Sequence, residues 1–182
     1  MTDQRNWLER LGEKIPGYGG YVQKERRRDL DKLHREHLAD RLRAIKQPIN
    51  DAVRELTDGR RLMEVGTLDR ASKKLDQAEN RVRFATYGYA GFFDVAKVQD
   101  AQLDALYRFD LALVQKVEEL EHQARELKNQ MATAQGLKDA AARLESALDE
   151  FNRTFDERSR AIQDPGQTGS PGGAPGPLFG VQ

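Results

Sequence analysis

The stretch DAQLDALYRFDLALVQKVEELEHQARELKNQM, residues 100–131, decides the fold class. Its apolar residues recur in alternating steps of three and four, which places one apolar stripe along a helix and is typical of a coiled coil. Asp110 occupies one stripe position, and we expect its neighbour Phe109 to take its place. The stripe comprises Leu103, Leu106, Leu113, Val117, Leu120, Ala124, Leu127 and Met131.

The same spacing predicts two helices before this stretch, from about residue 21 to 57 and from about residue 67 to 86. Pro48 lies inside the first helix without disturbing the spacing, which favours one kinked helix. We expect Gly59 to cap its end and Thr67 to cap the beginning of the second helix. The two stripes comprise Leu38, Leu42, Ile45, Ile49, Ala52 and Leu56, and then Leu68, Ala71, Leu75, Ala78, Val82 and Ala85.

After residue 134 the spacing slips by one residue near Gly136 and then continues to Ile162. A slip of this kind either overwinds a continuous coil or marks a turn. Because one glycine and no proline or asparagine lies there, we favour a continuous helix from 100 to 162, about 95 Å long at 1.5 Å per residue. The alternative is a break, whose pieces would form an antiparallel bundle.

The composition agrees with long exposed helices, because charged residues make up 33% of the 182 residues and apolar residues 38%. We predict an all-α, elongated antiparallel helical bundle or coiled coil with one long C-terminal helix and a disordered C-terminal tail. Residues 1–20 would be a short amphipathic segment with a Gly/Tyr loop. Residues 21–163 would form the bundle, and residues 164–182 a flexible Pro/Gly-rich tail that ends in an apolar motif.

The charges are divided unevenly between the two halves of the chain, although the formal net charge is zero. Residues 21–83 contain 17 basic and 12 acidic side chains, whereas residues 84–164 contain 10 basic and 15 acidic ones. Halves with net charges of +5 and −5 are expected to face each other, either within one chain or between copies. A basic block matched in this way leaves nothing to attract nucleic acid, and none is predicted as a partner.

Three further features bear on location. The chain contains no cysteine, so it does not report a redox compartment. Its first residues lack the apolar run of a signal peptide, and no stretch approaches the roughly 20 apolar residues that cross a bilayer. We therefore expect a cytoplasmic protein.

Two histidine motifs could in principle hold a metal. Asp31-x-x-His34-x-x-His37 and Glu119-x-x-His122 have the helical spacing by which a carboxylate and an imidazole share one ion. A di-iron bundle needs two such pairs and two more inward carboxylates, so we favour surface histidines. No phosphate-binding loop or nucleophile motif is present. The charged residues are interpreted as solvated helix faces, and no catalytic residue, metal or cofactor is predicted.

Residues 87–98, YGYAGFFDVAKV, are the aromatic-rich part of the chain. They bring four aromatic rings within seven residues, in a sequence that is otherwise poor in aromatic residues. One interpretation is a corner at which the rings close the end of the bundle, and the other is an exposed partner-binding site. The residues concerned are Tyr87, Tyr89, Phe92 and Phe93.

The two ends of the chain carry further candidate binding residues. Trp7, Leu8 and Leu11 form a short amphipathic face that could enter a membrane interface or dock on the bundle itself. Near the other end, Leu178, Phe179 and Val181 follow a flexible tether, where they look like a docking motif for a protein partner. An inert end remains the alternative there. The run KERRR, residues 24–28, is interpreted as a solvated face.

An amphipathic N-terminal segment followed by long coiled helices resembles the phage-shock-protein-A class of membrane scaffolds. The resemblance implies a membrane-surface scaffold that uses residues 1–14 and the basic first helix. Those proteins begin their long hairpin directly after the first helix, whereas Pro48, Gly59 and the aromatic segment intervene here. The sequence as a whole predicts a non-catalytic protein-interaction or assembly protein, a scaffold or adaptor that forms homo-oligomers. A membrane-surface scaffold is the alternative, and a metal-binding helical-bundle enzyme the third reading.

Overall fold

The computed structural model describes residues 9–17, 27–85 and 100–163. Residues 9–14 are helical, and no strand occurs in the described ranges. The predicted all-α bundle is confirmed. Its helices are α1 Arg27–Asp58, α2 Leu62–Val65, α3 Asp69–Arg83, α4 Asp100–Gln130 and α5 Ala134–Gln163, with a 3-10 turn Gly66–Leu68 between α2 and α3.

The four long helices form two antiparallel pairs that lie side by side. In one pair α1 packs against α3, and in the other α4 packs against α5. Across the pairs, α1 runs parallel to α4 and α3 runs parallel to α5, so that the consecutive helices α3 and α4 lie at diagonal corners. The direction of each pair of helices follows from two contacts at different positions along it. The antiparallel pairs are joined by Asp40–Arg83 and Lys46–Asp76 (α1 and α3) and by Lys116–Glu150 and Gln130–Arg143 (α4 and α5). The parallel neighbours are joined by Arg41–Glu121 and Glu55–Lys128 (α1 and α4) and by Lys74–Asp149 and Arg81–Asp156 (α3 and α5).

The apolar stripes meet in the middle of the bundle. All six stripe residues of α1 from Leu38 to Leu56 are buried, as are the α4 stripe residues from Leu106 to Met131. Each fully buried Leu or Ile contributes roughly 1.5–3 kcal/mol by leaving water. A helix with one apolar stripe has to bury that stripe against other helices, which is why this spacing yields a bundle.

The favoured continuous helix from 100 to 162 is wrong, because the chain reverses at residues 131–133 and the long C-terminal helix is α5. Thr133 caps this helix: its hydroxyl accepts a hydrogen bond from the Gly136 N–H at 3.0 Å. A Cβ on Gly136 would lie 2.2 Å from the carbonyl oxygen of Gln130. Glycine is thus required where α5 passes close to the end of α4. The alternative arrangement, an antiparallel bundle, is the observed one.

The ends of α1 and α3 refine the sequence prediction. α1 continues through Pro48 as one helix, as predicted. It ends in a Schellman motif, in which the Arg61 N–H donates to the Leu56 carbonyl at 2.8 Å. The left-handed residue of this motif is Arg60, with φ of 59°, which directly follows Gly59. Thr67 lies in the 3-10 turn and does not cap α3, which begins at Asp69 and ends at Arg83.

The oppositely charged halves face each other, as predicted. Arg41 of α1 makes two parallel hydrogen bonds to Glu121 of α4, both 2.7 Å long. The pKa of Glu121 is lowered chiefly by this hydrogen-bonded guanidinium. Between α3 and α5, three further pairs also join a basic residue of the first half to an acidic residue of the second: Arg70–Glu145, Lys74–Asp149 and Arg81–Asp156.

Candidate functional site

Five ionisable side chains are buried together near the end of the bundle where α1 and α4 begin and α5 ends. Each of them is less than a tenth exposed. Because they come from three helices that are distant in sequence, the fold and not the local chain brings them together. We refer to them as the ionic cluster: Asp31, His34 and Arg35 of α1, Asp110 of α4 and Arg158 of α5.

Arg158 lies at the centre of the ionic cluster and has no exposed surface. Its Nε donates to Asp110 Oδ1 at 2.5 Å, and its Nη2 donates to Asp31 Oδ1 at 2.7 Å. The second carboxylate oxygen of Asp31 accepts a hydrogen bond from Arg35 Nε at 2.9 Å. Two carboxylates thus balance two guanidinium groups. This pairing is what permits charges to be buried at all.

The sequence places these residues in the core because they continue the apolar stripes. His34 and Asp31 precede Leu38 by four and seven residues on α1, so they lie on its buried side. Asp110 occupies a position of the α4 stripe, and Arg158 follows Phe155 by three residues on α5. The three stripes therefore become polar at the same level of the bundle. Opposite charges at matching stripe positions are the sequence signal that could have identified the cluster.

His34 is fully buried beside Asp110. Its Nε2 lies 3.2 Å from the Asp110 carbonyl oxygen, and its Nδ1 lies 3.5 Å from Asp110 Oδ1. Burial lowers the pKa of His34, and the Arg158 charge acts in the same direction, although the Asp110 carboxylate opposes both. The ring is therefore neutral near pH 7 and donates from Nε2, because a carbonyl oxygen can only accept.

The ionic cluster is not arranged as a metal site. The guanidinium of Arg158 occupies the space between Asp31 and Asp110 that a cation would take. Within residues 9–17, 27–85 and 100–163, no three His, Cys, Asp or Glu side chains are grouped to hold an ion. The interpretation of His34 as a surface residue is wrong, as is that of these charged residues as solvated faces. His37 is half-buried, and His122 is exposed as predicted.

Of the binding residues predicted at the N-terminus, the described part of the chain contains Leu11. Leu11 and Ile15 are both completely buried. Lys14 Nζ lies 2.5 Å from Glu118 Oε1 of α4, and a Cβ on Gly17 would lie 3.8 Å from Leu33 of α1. Residues 9–17 therefore lie against α1 and α4.

The other predicted binding residues lie outside the described residues. The segments that contain several of them are attached at the cluster end of the bundle, since α3 ends there, α4 begins there and α5 ends there. The residues concerned are Trp7 and Leu8, then Tyr87, Tyr89, Phe92 and Phe93, and finally Leu178, Phe179 and Val181.

The surface of the described residues has grooves between its helices and few exposed apolar side chains. One groove lies between α1 and α4 and another between α3 and α5, each with a volume of about 580 Å³. Both have charged rims and small residues beneath. The large apolar side chains exposed within these ranges are Leu62, Met63 and Phe84.

Comparison of the chain with protein-family models, curated proteins and solved structures finds no match. In the described part of the chain, no helix combines the length and the apolar character needed to cross a membrane.

Proposed function

We propose that this chain is a non-catalytic α-helical interaction or assembly protein, a scaffold or adaptor whose bundle holds partner-binding segments at one end. The observation that carries the proposal is the ionic cluster. Asp31 and His34, two residues of one motif considered for a metal, are buried there, and the Asp31 carboxylate is held by Arg158.

Catalysis by the carboxylates of the ionic cluster would require that a substrate can reach them. A general base has to come within hydrogen-bond reach of a substrate proton. Asp31 and Asp110 are instead each held by Arg158 and covered by the helices. A buried ion network of this kind favours one helix register over its alternatives and adds little net stability. A fixed register suits a scaffold, and no cofactor is needed for it.

We assign partner binding to the segments at the cluster end. The aromatic residues Tyr87, Tyr89, Phe92 and Phe93 join α3 to α4 there, and the chain with Leu178, Phe179 and Val181 continues from α5. A short apolar motif on a tether gains effective concentration near a partner. The partner proposed is a protein. Since the stripes of the long helices are buried within one chain, homo-oligomerisation is assigned to these segments as well.

The decisive experiment compares variants of the tail. Replacing both Leu178 and Phe179 by Ala should abolish capture of protein partners and leave the melting temperature unchanged, as should a chain that ends at Asp164. The matched control replaces Gln167 and Thr168, two polar residues of the same tail, by Ala. Light scattering of each purified variant reports the oligomeric state.

Two outcomes would contradict the proposal. Equal partner capture by the control and by the Leu178/Phe179 variant would remove the tail as a binding motif. Co-sedimentation of the intact chain with anionic phospholipid vesicles, in the absence of any protein partner, would favour the membrane-surface scaffold instead.

A further inference from the structure

The turn between α4 and α5 is short and consists of residues that also favour a helix. Helical hydrogen bonds enter it from both sides: the Met131 N–H donates to the Leu127 carbonyl, and the Leu137 N–H donates to the Thr133 carbonyl, each at 3.0 Å. The turn and its flanks contain methionine, alanine and glutamine, which are strong helix formers, and no proline. Only the backbone dihedral angles of residues 131–133 therefore separate this hairpin from one straight helix.

The register of α4 and α5 is that of two antiparallel helices related by a two-fold axis through residue 133. The two helices are 31 and 30 residues long, on either side of the turn. Lys116 lies seventeen residues before residue 133, and its partner Glu150 lies seventeen residues after it. Two straightened copies that cross at residue 133 would therefore pair α4 of one copy with α5 of the other in the register that the hairpin already has.

Two large apolar side chains are exposed at the same end of the bundle. Leu62 and Met63, at the beginning of α2, are 63% and 97% exposed. They directly follow Arg61, whose Nη1 donates to the Met131 carbonyl at 2.6 Å, so they lie next to the turn between α4 and α5. When two copies cross at residue 133, their turn ends face each other. Leu62 and Met63 of one copy then meet those of the other and leave water.

We infer that two copies of this chain form a dimer by exchanging α5 at the turn end. In the dimer residues 131–133 are helical, and α4 and α5 form one straight helix about 95 Å long. The α5 helix of each copy packs on α3 and α4 of the other, and its Arg158 completes the other copy's ionic cluster. The exchange re-forms the contacts of the single-chain bundle, which is why such dimers form at low cost. This dimer goes beyond the proposed function, because it uses the end of the bundle opposite the partner-binding segments.

Two substitutions near the turn should move the chain in opposite directions. Gly136→Ala disfavours the hairpin, because the new Cβ would lie 2.2 Å from the Gln130 carbonyl oxygen. In a straight helix six residues separate these groups by about 9 Å along the axis, and the overlap disappears. Ala134→Pro disfavours the straight helix, whose interior does not accept proline. It suits the hairpin, in which Ala134 is the first helical residue after the capping Thr133.

Light scattering measures the dimer after the full-length chain is refolded from urea over a wide range of protein concentration. The association constant of the Gly136→Ala chain should exceed that of the unaltered chain by about a hundredfold, roughly tenfold for each of the two relieved turns. The Ala134→Pro chain should remain monomeric. Circular dichroism melting verifies that both variants are folded.

A cross-link between α4 and α5 identifies the exchange itself. The chain contains no cysteine, so Lys116→Cys and Glu150→Cys place two thiols where these side chains pair at 3.1 Å. A short thiol cross-linker should join the two positions between copies in the isolated dimer and within one copy in the monomer, as denaturing electrophoresis shows. Leu62→Ser with Met63→Ser should lower the association constant, whereas Gln77→Ser, at an exposed position of α3, should leave it unchanged.

Three results would each overturn the inference. The first is that the unaltered chain and the Gly136→Ala chain both remain monomeric at every concentration. The second is a folded Ala134→Pro chain that dimerises as strongly as the unaltered one. The third is an isolated dimer in which the cross-linker joins positions within one copy alone, which would mean that intact hairpins associate.

Discussion

The helices are joined by different contacts at the two ends of the bundle. At the end opposite the ionic cluster, short turns join α1 to α2 and α4 to α5, and Arg61 ties these turns together at the surface. Its Nη1 donates to the Met131 carbonyl at 2.6 Å, and its Nε donates to Glu64 at 2.8 Å. At the cluster end, where no short turn joins α1, α4 and α5, buried ions join them.

This difference determines what each arginine contributes. Water can replace the partners of the partly exposed Arg61, so its loss leaves few groups unsatisfied. Water has no access to the fully buried Arg158, whose loss would leave two carboxylates without their main counter-charge in the core. Short turns join the helices at one end, and buried charge pairs join them at the other.

The largest expected effect is therefore that of Arg158→Met. It should lower the free energy of unfolding by about 3–5 kcal/mol, the usual loss when one partner of a buried ion pair is removed. Urea unfolding followed by circular dichroism measures it. Arg61→Met, with the same change at the opposite end, is the matched control and should cause a clearly smaller loss. Equal losses for the two variants would mean that the ends are not stabilised differently.

Within the turn end, the backbone at Gly136 is expected to tolerate no side chain. Gly136→Ala should destabilise the bundle by about 1–3 kcal/mol, because the new Cβ would overlap the Gln130 carbonyl oxygen and the turn has to distort. Gly66→Ala is the control, since no atom lies within 4 Å of its Cβ position and its φ is −61°. That variant should be neutral or slightly stabilising. Thermal unfolding of both variants measures the difference. A Gly136→Ala variant that is more stable than Gly66→Ala would contradict the close approach at Gly136.

The fold class was predictable because it depends on spacing. Alternating steps of three and four residues report which side of each helix is buried, and that side is buried in the structure from Leu38 to Leu56 and from Leu68 to Val82. The spacing does not give the position of the reversal at residues 131–133. It depends on a close approach of two backbones at Gly136, where the slip in spacing fits an overwound coil as well as a turn, and on the cap that Thr133 provides for α5.

The ionic cluster escaped prediction for a different reason. Periodicity analysis counts apolar residues, so a stripe that becomes polar is read as a stripe that ends. Asp110 occupies a stripe position on α4, yet its partner Arg158 comes from α5, and the second carboxylate that Arg158 holds, Asp31, comes from α1. Which charges meet depends on how the helices align, and one stripe alone does not contain that information.

The ionic cluster should also make stability depend on pH through His34. Its pKa is lowered by burial, so below the ordinary value of 6.5 the unfolded chain takes up a proton that the folded chain does not. Stability should therefore fall as the pH drops from 6.5 towards the lowered pKa of the folded state. Urea unfolding at about pH 7.5 and about pH 5.5, on either side of the ordinary histidine pKa, measures this loss.

Replacement of His34 by Gln should reduce this loss, whereas His122→Gln, at an exposed position, should leave it unchanged. The His34 variant should keep part of the loss of stability at low pH, because burial also lowers the pKa of His37. The pKa values of Glu79 and Glu121 are lowered from 4.5, so these two groups change stability below about pH 4.5, outside the measured interval. An unchanged pH dependence in the His34 variant would place the titrating group elsewhere.

The smallest effect concerns the left-handed residue that ends α1. Arg60 has φ of 59°, a conformation that costs a residue with a Cβ roughly 1–2 kcal/mol and costs glycine almost nothing. Arg60→Gly should therefore stabilise the bundle by about 0.5–1 kcal/mol, after the extra entropy of glycine in the unfolded chain is subtracted. Arg54→Gly, at an exposed position inside α1, should instead destabilise it by about 1 kcal/mol. Opposite signs for these two substitutions in urea unfolding would show that the turn end carries backbone strain that the helix interior lacks, and equal signs would contradict it.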